Sequence, residues 1–379
     1  MATENNNKNL NVPNLRFPEF SKPYSQTTIS KLATIVGGGT PDTTVQKYWN
    51  GDIQWFTPSE IGKNKYIYKS ERTITQDGLN NSSAKVLPIN TILLSTRATI
   101  GESSIAKTEC CTNQGFQSLI ANEEITCYEY LYYLIATLKK ELIRKSCGST
   151  FLEISANEVR KIKTFIPSLE EQRKVASLLS LLDELIATQI KIIEKLESLI
   201  KGLCQKLFLF DECTTYFLGN ICSITTGKLD ANAMVENGKY PFFTCAEEVF
   251  NIDNYAFDTE ALLISGNGAN LGYIHYYNGK FNAYQRTYVL DKFTIDINYI
   301  RLYLETFLKN RIEQEKNIGN TPYIVLGTLS KMKIKVPNIL TQLKIVKALT
   351  SFKNKLSNER LALKKYEEQK KYLLSNLFI

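Results

Sequence analysis

Residues 166–174 read IPSLEEQRK, and residues 336–344 read VPNILTQLK. Each opens a long run of helical pattern, and each run closes on Leu-Phe, at Leu207-Phe208 and Leu377-Phe378. The two stretches lie 170 positions apart, and that separation holds without a gap through the sequence around them. Ile154 matches Ile324, Lys161 matches Lys331, Lys163 matches Lys333, Pro167 matches Pro337, Gln172 matches Gln342 and Lys174 matches Lys344. Further on, Lys195 matches Lys365, Leu203 matches Leu373 and Phe208 matches Phe378. A correspondence of this length marks an internal repeat. Upstream, LATIVGGGTP (32–41) resembles LGNICSITTG (218–227) at a separation of 186, so the second copy is the shorter one and the variable part lies between two fixed parts.

Both copies follow one grammar. A mixed segment comes first, with short β-type runs such as YIYKSERTIT (66–75), TILLST (91–96), ALLIS (261–265) and RTYVLD (286–291) set between Gly and Asn. A proline then precedes a long helix. Ser168 and Asn338 are placed as N-caps, and Ser168 with Glu171 matches a capping box. Heptads follow. In the first helix the a positions are Leu179, Ile186, Ile193, Ile200 and Leu207, and the d positions are Val175, Leu182, Gln189, Leu196 and Leu203. In the second they are Leu349, Leu356, Leu363, Lys370 and Leu377, with Ile345, Phe352, Glu359, Tyr366 and Leu373. Such a seam is that of a coiled coil. Lys370 interrupts it near its end. Gln189 and Glu359 hold the same repeat position near the middle of their helices, so antiparallel pairing would bring them together and fix the register. Helices of about 42 residues reach roughly 60 Å at 1.5 Å per residue.

The expected fold is therefore α+β: two repeated mixed α/β regions separated by two long antiparallel coiled-coil helices, with pseudo-two-fold symmetry. The segments are an N-terminal stretch (1–22), a first recognition region (23–164), a first spacer helix (165–212), a second recognition region (213–335) and a second spacer helix (336–379). Two similar regions on a rigid spacer make a ruler, and duplex DNA, with half-sites at fixed helical spacing, is the natural object for a basic one.

Composition narrows the choice. Of 379 residues, 43% are hydrophobic, which is enough to build the cores of two globular regions. The N-terminal MATENNNKNLNVPN has no apolar core, so it is not read as a signal peptide, and no apolar run is long enough to span a membrane. A cytoplasmic protein is expected. The eight cysteines (110, 111, 127, 147, 204, 213, 222, 245) form no CxxC, and His275 is the single histidine, so the spacing of a zinc site is missing and reduced, mostly buried thiols are expected. The net charge of +8 permits nucleic acid without requiring it. Residues 168–209 carry six acids and six bases, whereas residues 338–379 carry nine bases and three acids.

The first half contains VPNLRFPEF (12–20), GGGTPDT (37–43), IQWFTPSEI (53–61), STRATIGESSIA (95–106), NQGF (113–116) and GST (148–150). LLISGNGANLGYI (262–274), NAYQ (282–285) and GNT (319–321) echo them in the second, which lacks a GGGTP-like run. On these runs, and across its whole length, the chain resembles the specificity subunit of a type I restriction–modification system. The resemblance implies two target recognition domains, each reading one half of an interrupted DNA sequence. It implies spacer helices that set the gap between the halves and bind two methyltransferase (modification) subunits, with motor-nuclease (restriction) subunits joining later. It implies no chemistry by the chain itself and no cofactor.

The residues agree with that last point. No Pro-Pro of an adenine methyltransferase loop occurs and no GxxxxGK[ST] occurs; GNGANLG (266–272) is not GxGxxG and reads as a turn between strands. His275, between Ile274 and Tyr276, reads as a strand residue rather than a catalyst.

Phosphates call for Lys, Arg and hydroxyls, and base edges for Arg, Asn, Gln, Ser or Thr in a groove. In the first region this selects Lys63, Lys65, Tyr66, Tyr68, Lys69 and Arg72, then Ser95, Thr96 and Arg97, and then Ser149 and Thr150 beside Lys145. In the second it selects Thr225, Thr226 and Lys228, then Ser265 and Asn267, then Tyr284, Gln285 and Arg286, and then Asn320 and Thr321. Arg97 and Arg286 are the leading individual choices. The competing class is a non-enzymatic scaffold whose two regions bind proteins. Steep salt dependence of duplex binding separates the two.

Overall fold

A computed structural model describes residues 11–148, 152–210, 212–315 and 323–379. The chain divides into two compact units, residues 1–188 with 363–379, and residues 189–362. Both long helices cross from one unit to the other. They run Leu169–Leu207 and Ile339–Leu377. The spacers expected as separate segments are thus built into the units, because their ends complete the cores. Leu179 and Val175 join Leu373, Leu377 and Phe378 in the first unit, and Phe208 and Cys204 join Ile345 and Leu349 in the second.

The repeated punctuation has one physical cause. After each proline the chain turns into a helix whose fourth residue is glutamine. The Gln172 amide donates to the Pro167 carbonyl at 3.1 Å, and the Gln342 amide donates to the Pro337 carbonyl at 2.8 Å. Both glutamines are buried, so each side chain satisfies a carbonyl that water cannot reach. Asn338 caps as expected, accepting from the Thr341 amide at 2.9 Å. The capping box at Ser168 forms only by half. The Glu171 amide reaches Ser168 Oγ at 3.4 Å, but the Glu171 carboxylate is held by the Arg16 guanidinium at 2.7 and 2.8 Å instead of returning to the cap. A charge-assisted bidentate pair outbids a neutral amide.

Within each unit the long helices pack antiparallel along the expected seam. In the second unit Gln189 Nε2 donates to Glu359 Oε2 at 2.6 Å and to the Glu359 carbonyl at 3.0 Å. In the first, Lys370 does interrupt the apolar seam, and Asp183 answers it at 2.6 Å from across the pair.

The main sheets of the two globular parts share one order over their first four strands. In the first unit the strands run Ala33–Gly37, Gln117–Ala121, Ile92–Leu94, Ser103–Ala106, Tyr66–Ile67, beside a second sheet of Arg72–Ile74, Trp49–Phe56 and Cys110–Thr112. In the second they run Ser223–Thr226, Thr287–Asp291, Phe257–Ser265, Ile274–Ala283, Tyr240–Phe243, Phe250–Ile252. A two-stranded ribbon leads into each long helix: Ser25–Thr28 against Lys163–Ile166, and Thr214–Phe217 against Lys333–Val336. Register corrects one detail of the repeat. Ile92 pairs with Leu119 as Leu262 pairs with Leu290, so Ile120 matches Asp291; Thr34 lies opposite Ile120 and Ser223 opposite Asp291, so Thr34 corresponds to Ser223 and the separation of 186 is too small here. The short helix Ile29–Leu32 enters its strand directly, whereas Ile221 and Cys222 intervene after the single turn Leu218–Asn220.

Candidate nucleic-acid interface

The same backbone junction is built in each unit. Where the central strand ends, the Thr96 amide donates to the Gly115 carbonyl and the Ile154 amide to the Thr96 carbonyl. In the second unit the Gly266 amide donates to the Arg286 carbonyl and the Ile324 amide to the Gly266 carbonyl. Isolated pairings extend the match, Arg97 with Glu153 and Asn267 with Tyr323. A glycine seals each junction. A Cβ on Gly38 would lie 2.0 Å from the Asn113 carbonyl oxygen, and one on Gly227 would lie 1.9 Å from that of Ala283. Only glycine permits backbones to approach so closely.

In the second unit the junction opens into a cleft of about 280 Å³ lined by Thr226, Gly266, Gln285, Arg286, Tyr288 and Ile324. Three sequence-selected residues, Thr226, Gln285 and Arg286, therefore meet in one place although 60 positions separate the first from the last. The Gln285 amide is tied to the Leu229 carbonyl at 2.9 Å, and the Tyr284 amide to that of Phe243 at 2.9 Å, which fixes the turn that presents them. Tyr288 donates to the Ile324 carbonyl at 2.9 Å and forms one wall. Among the described residues no carboxylate lines the cleft, so Arg286 is left to attract anions. Thr225 is exposed on the other face of its strand, and Lys228 is exposed just beyond Gly227. Asn267 is half-buried in its pairing with Tyr323. Ser265 is fully buried and does not reach the surface.

The first unit differs. Arg97 is exposed at the loop tip, but Glu153 Oε1 holds its Nε at 2.9 Å. Ser95 and Thr96 are buried and act as braces: Ser95 Oγ donates to the Arg97 carbonyl at 2.8 Å, and Thr96 Oγ1 donates to the Gly115 carbonyl at 3.1 Å. They are corrected from contacts to supports. Lys65 is corrected as well. Its side chain turns inward between the Tyr66 and Tyr133 rings, with Nζ 3.1 Å from the Tyr133 hydroxyl and 3.8 Å from Glu129. Burial lowers its pKa, Glu129 partly restoring it. It anchors the strand Tyr66–Ile67 to the first long helix, and the Tyr66 hydroxyl donates a hydrogen bond to the Glu129 carboxylate. Arg72 lies flat on the Trp49 ring, 3.6 Å from its centroid. Lys63, Tyr68 and Lys69 are exposed. Lys145 sits between Glu158 at 3.6 Å and Glu141 at 4.0 Å, so its charge is spoken for. Ser149, Thr150, Asn320 and Thr321 lie outside the described residues.

Three residues escaped the sequence reading. Gln114 occupies the turn position that Gln285 holds in the second unit, and it accepts from Thr40 Oγ1 at 2.5 Å. Both belong to runs singled out above, GGGTPDT and NQGF, yet neither stood out by charge. Glu153, which decides how available Arg97 is, gave no signal, since 56 positions separate the two.

The sequence matches the family described as Type I restriction modification DNA specificity domain twice, over residues 22–198 and 211–365. It is 38% identical over 192 residues to the Type I restriction enzyme MjaIX specificity subunit of Methanocaldococcus jannaschii, a match covering 50% of this chain and 44% of that protein. The chain thus spans less than half the length of that relative. Identity to the Type I restriction enzyme EcoprrI specificity subunit of Escherichia coli is 25% over 352 residues, 86% of each chain. The crystal structure of the type I restriction–modification S subunit from M. genitalium shares the fold, with a TM-score of 0.67 at 19% identity over 97% of this chain and 99% of that one.

Proposed function

The chain belongs to the type I restriction–modification DNA specificity family, and on that premise we propose that it is a DNA-reading subunit with no chemistry of its own. Each recognition region reads one half of an interrupted duplex target. The paired helices set the spacing and dock two methyltransferase subunits, to which motor-nuclease subunits are added in the full complex. No described helix is long and apolar enough to cross a membrane, and the place of work is the cytoplasm.

The observation that carries this reading is the junction built twice with one backbone plan and two sets of side chains. Positioning is held constant while Arg97 with Gln114 in one unit and Arg286 with Gln285 and Thr226 in the other present different donors. Arginine and glutamine are side chains that pair bidentately with guanine and adenine edges. A protein scaffold would not need one backbone junction repeated under two different sets of hydrogen-bonding side chains.

The test is selection of random duplexes by the purified chain with a methyltransferase partner, followed by sequencing. Enrichment of two short half-sites at fixed separation is expected. A folded complex that enriches nothing, or that captures protein independently of salt, overturns the proposal.

A further inference from the structure

The two copies have diverged at most positions, so the residues they still share call for a cause. Packing supplies it where the shared residue is buried, as for Ile154 and Ile324, Gln172 and Gln342, Leu179 and Leu349, or Phe208 and Phe378. Packing does not explain Lys161 with Lys331, or Lys163 with Lys333, which are exposed in both copies. Nor does a shared ion pair. Lys161 meets Glu158 at 3.2 Å, but Thr328 stands at the corresponding place in the second copy.

Lys163 and Lys333 open the strands that lead into the long helices, and Lys161 and Lys331 precede them by two positions. In the first unit, Lys161 and Lys163 line an open cleft of about 610 Å³ with Arg160, Asn157, Thr28 and Ser30. Lys163 stands opposite Thr28 on the ribbon, and the Thr28 and Ser30 hydroxyls are 2.9 Å apart. Among the described residues, three cations and three neutral polar side chains line it, and no carboxylate does. In the second unit the ribbon alternates so that Ile334 and Val336 are buried while Lys333 and Lys335 are exposed, with Lys331 exposed just before them. Clustered ammonium groups among hydroxyl and amide donors have the chemistry of phosphodiester contact. An ammonium group has no planar donor pattern that would distinguish one base edge from another, and the planar Arg160 guanidinium is turned to Asn157 Oδ1 at 3.0 Å and the Ile35 carbonyl at 3.4 Å.

We propose that Lys161 and Lys163, and their repeats Lys331 and Lys333, grip the phosphate backbone of duplex DNA without regard to sequence. The inference rests on the reading of the chain as a DNA-binding subunit and assigns a second, non-reading contact in each copy. Duplex anchoring and base reading are then separate devices on separate elements.

The experiment measures binding of the full chain to a target duplex and to a scrambled duplex of equal length over a salt series. The variants are the fourfold K161Q/K163Q/K331Q/K333Q and the fourfold Lys→Arg control at the same positions. Each lost phosphate contact flattens the slope of log K against log salt by about 0.9, so the glutamine variant is expected to lose about 3.6 from the slope. Its affinity falls equally on both duplexes, leaving the ratio between them unchanged, and the arginine variant keeps the slope of the parent. An unchanged slope in a folded glutamine variant overturns the inference, as does self-association with normal DNA binding, which would make the lysines guards of an exposed ribbon edge. A loss confined to the target duplex overturns it too, because the lysines would then be reading sequence. Absence of any duplex binding by the parent chain is a different failure, that of the DNA-reading assignment itself.

Discussion

In the first copy the arginine at the loop tip is held by Glu153, and the neighbouring cluster is braced by buried hydroxyls. In the second copy that tip carries Asn267, and the arginine comes instead from the adjoining turn into a cleft that no carboxylate among the described residues lines. The amide-to-carbonyl bonds beneath are the same in both. Evolution of such a repeat can change what is read while keeping where reading happens. The backbone junction depends on glycine and strand register, and neither constrains the side chains that project from it.

The comparison breaks most severely if the common support is removed. Ile193 is buried in the helix seam at 8% exposure, and Ile193→Asp places a charge there with no partner. A loss of about 3 kcal/mol is expected in denaturant unfolding. Full stability with unchanged half-site spacing would mean that the seam does not hold the ruler together. The next largest effects come one copy at a time. Gly38→Ala and Gly227→Ala each drive a Cβ into a backbone carbonyl, at a cost of about 2 kcal/mol. Each should abolish selection of its own half-site and leave the other intact, which half-site-specific duplex selection would show.

Side-chain changes sharpen the contrast more finely. Arg286→Ala is expected to cost about 1–3 kcal/mol of discrimination at one position of its half-site. Arg97→Ala should cost less, because Arg97 must first leave Glu153. Glu153→Gln should therefore raise affinity for the first half-site, by less than about 1 kcal/mol since the pair is well exposed. Equal effects of the two arginine changes in a competition assay would erase the proposed difference.

Alkaline pH should separate the halves least. Burial pushes the Cys110 and Cys111 thiols up to about 12 and about 11, and the Tyr132 hydroxyl up to about 12. Unfolded, these groups give up their protons near ordinary values of 9.0 for the thiols and 10.0 for the tyrosine. Raised values mean that the stability they contribute is complete below those ordinary values and is lost as pH rises through the folded ones. Lys65, held low by burial, works in the opposite direction, one group against several. Both tryptophans, Trp49 and Trp55, are in the first unit, so their fluorescence should report its loss between pH 9 and 12. A flat fluorescence signal over that range would contradict the burial of these groups.

Much of the architecture was readable before the structure. The gap-free repeat, the heptads and the Gln189–Glu359 meeting all follow from periodicity, which a helix converts directly into a face. The recognition regions were less readable because their side-chain directions depend on register and on partners far along the chain. Nothing local says that Lys65 turns inward while Lys63 and Lys69 stay in solvent. The choice is made by Tyr133, Glu129 and Ser180, which arrive from other elements. Ser95 and Thr96 look like donors at a loop tip, and only the close return of residues 113–116 buries them. Arg286, by contrast, is exposed, as its place in a polar turn leads one to expect.

Residues 363–379 belong to the same compact unit as residues 1–188. Phe378 stacks on Tyr130 with ring centroids 5.1 Å apart, and Leu373 and Leu377 fill the same core. On the ribosome the first unit is therefore the first to emerge and the last to be completed. Its core waits, short of a wall, until the whole second unit has been translated. A premature stop near residue 362 would leave the second unit's residues whole and strand the first, so the damage from a late truncation would fall on the early half of the protein.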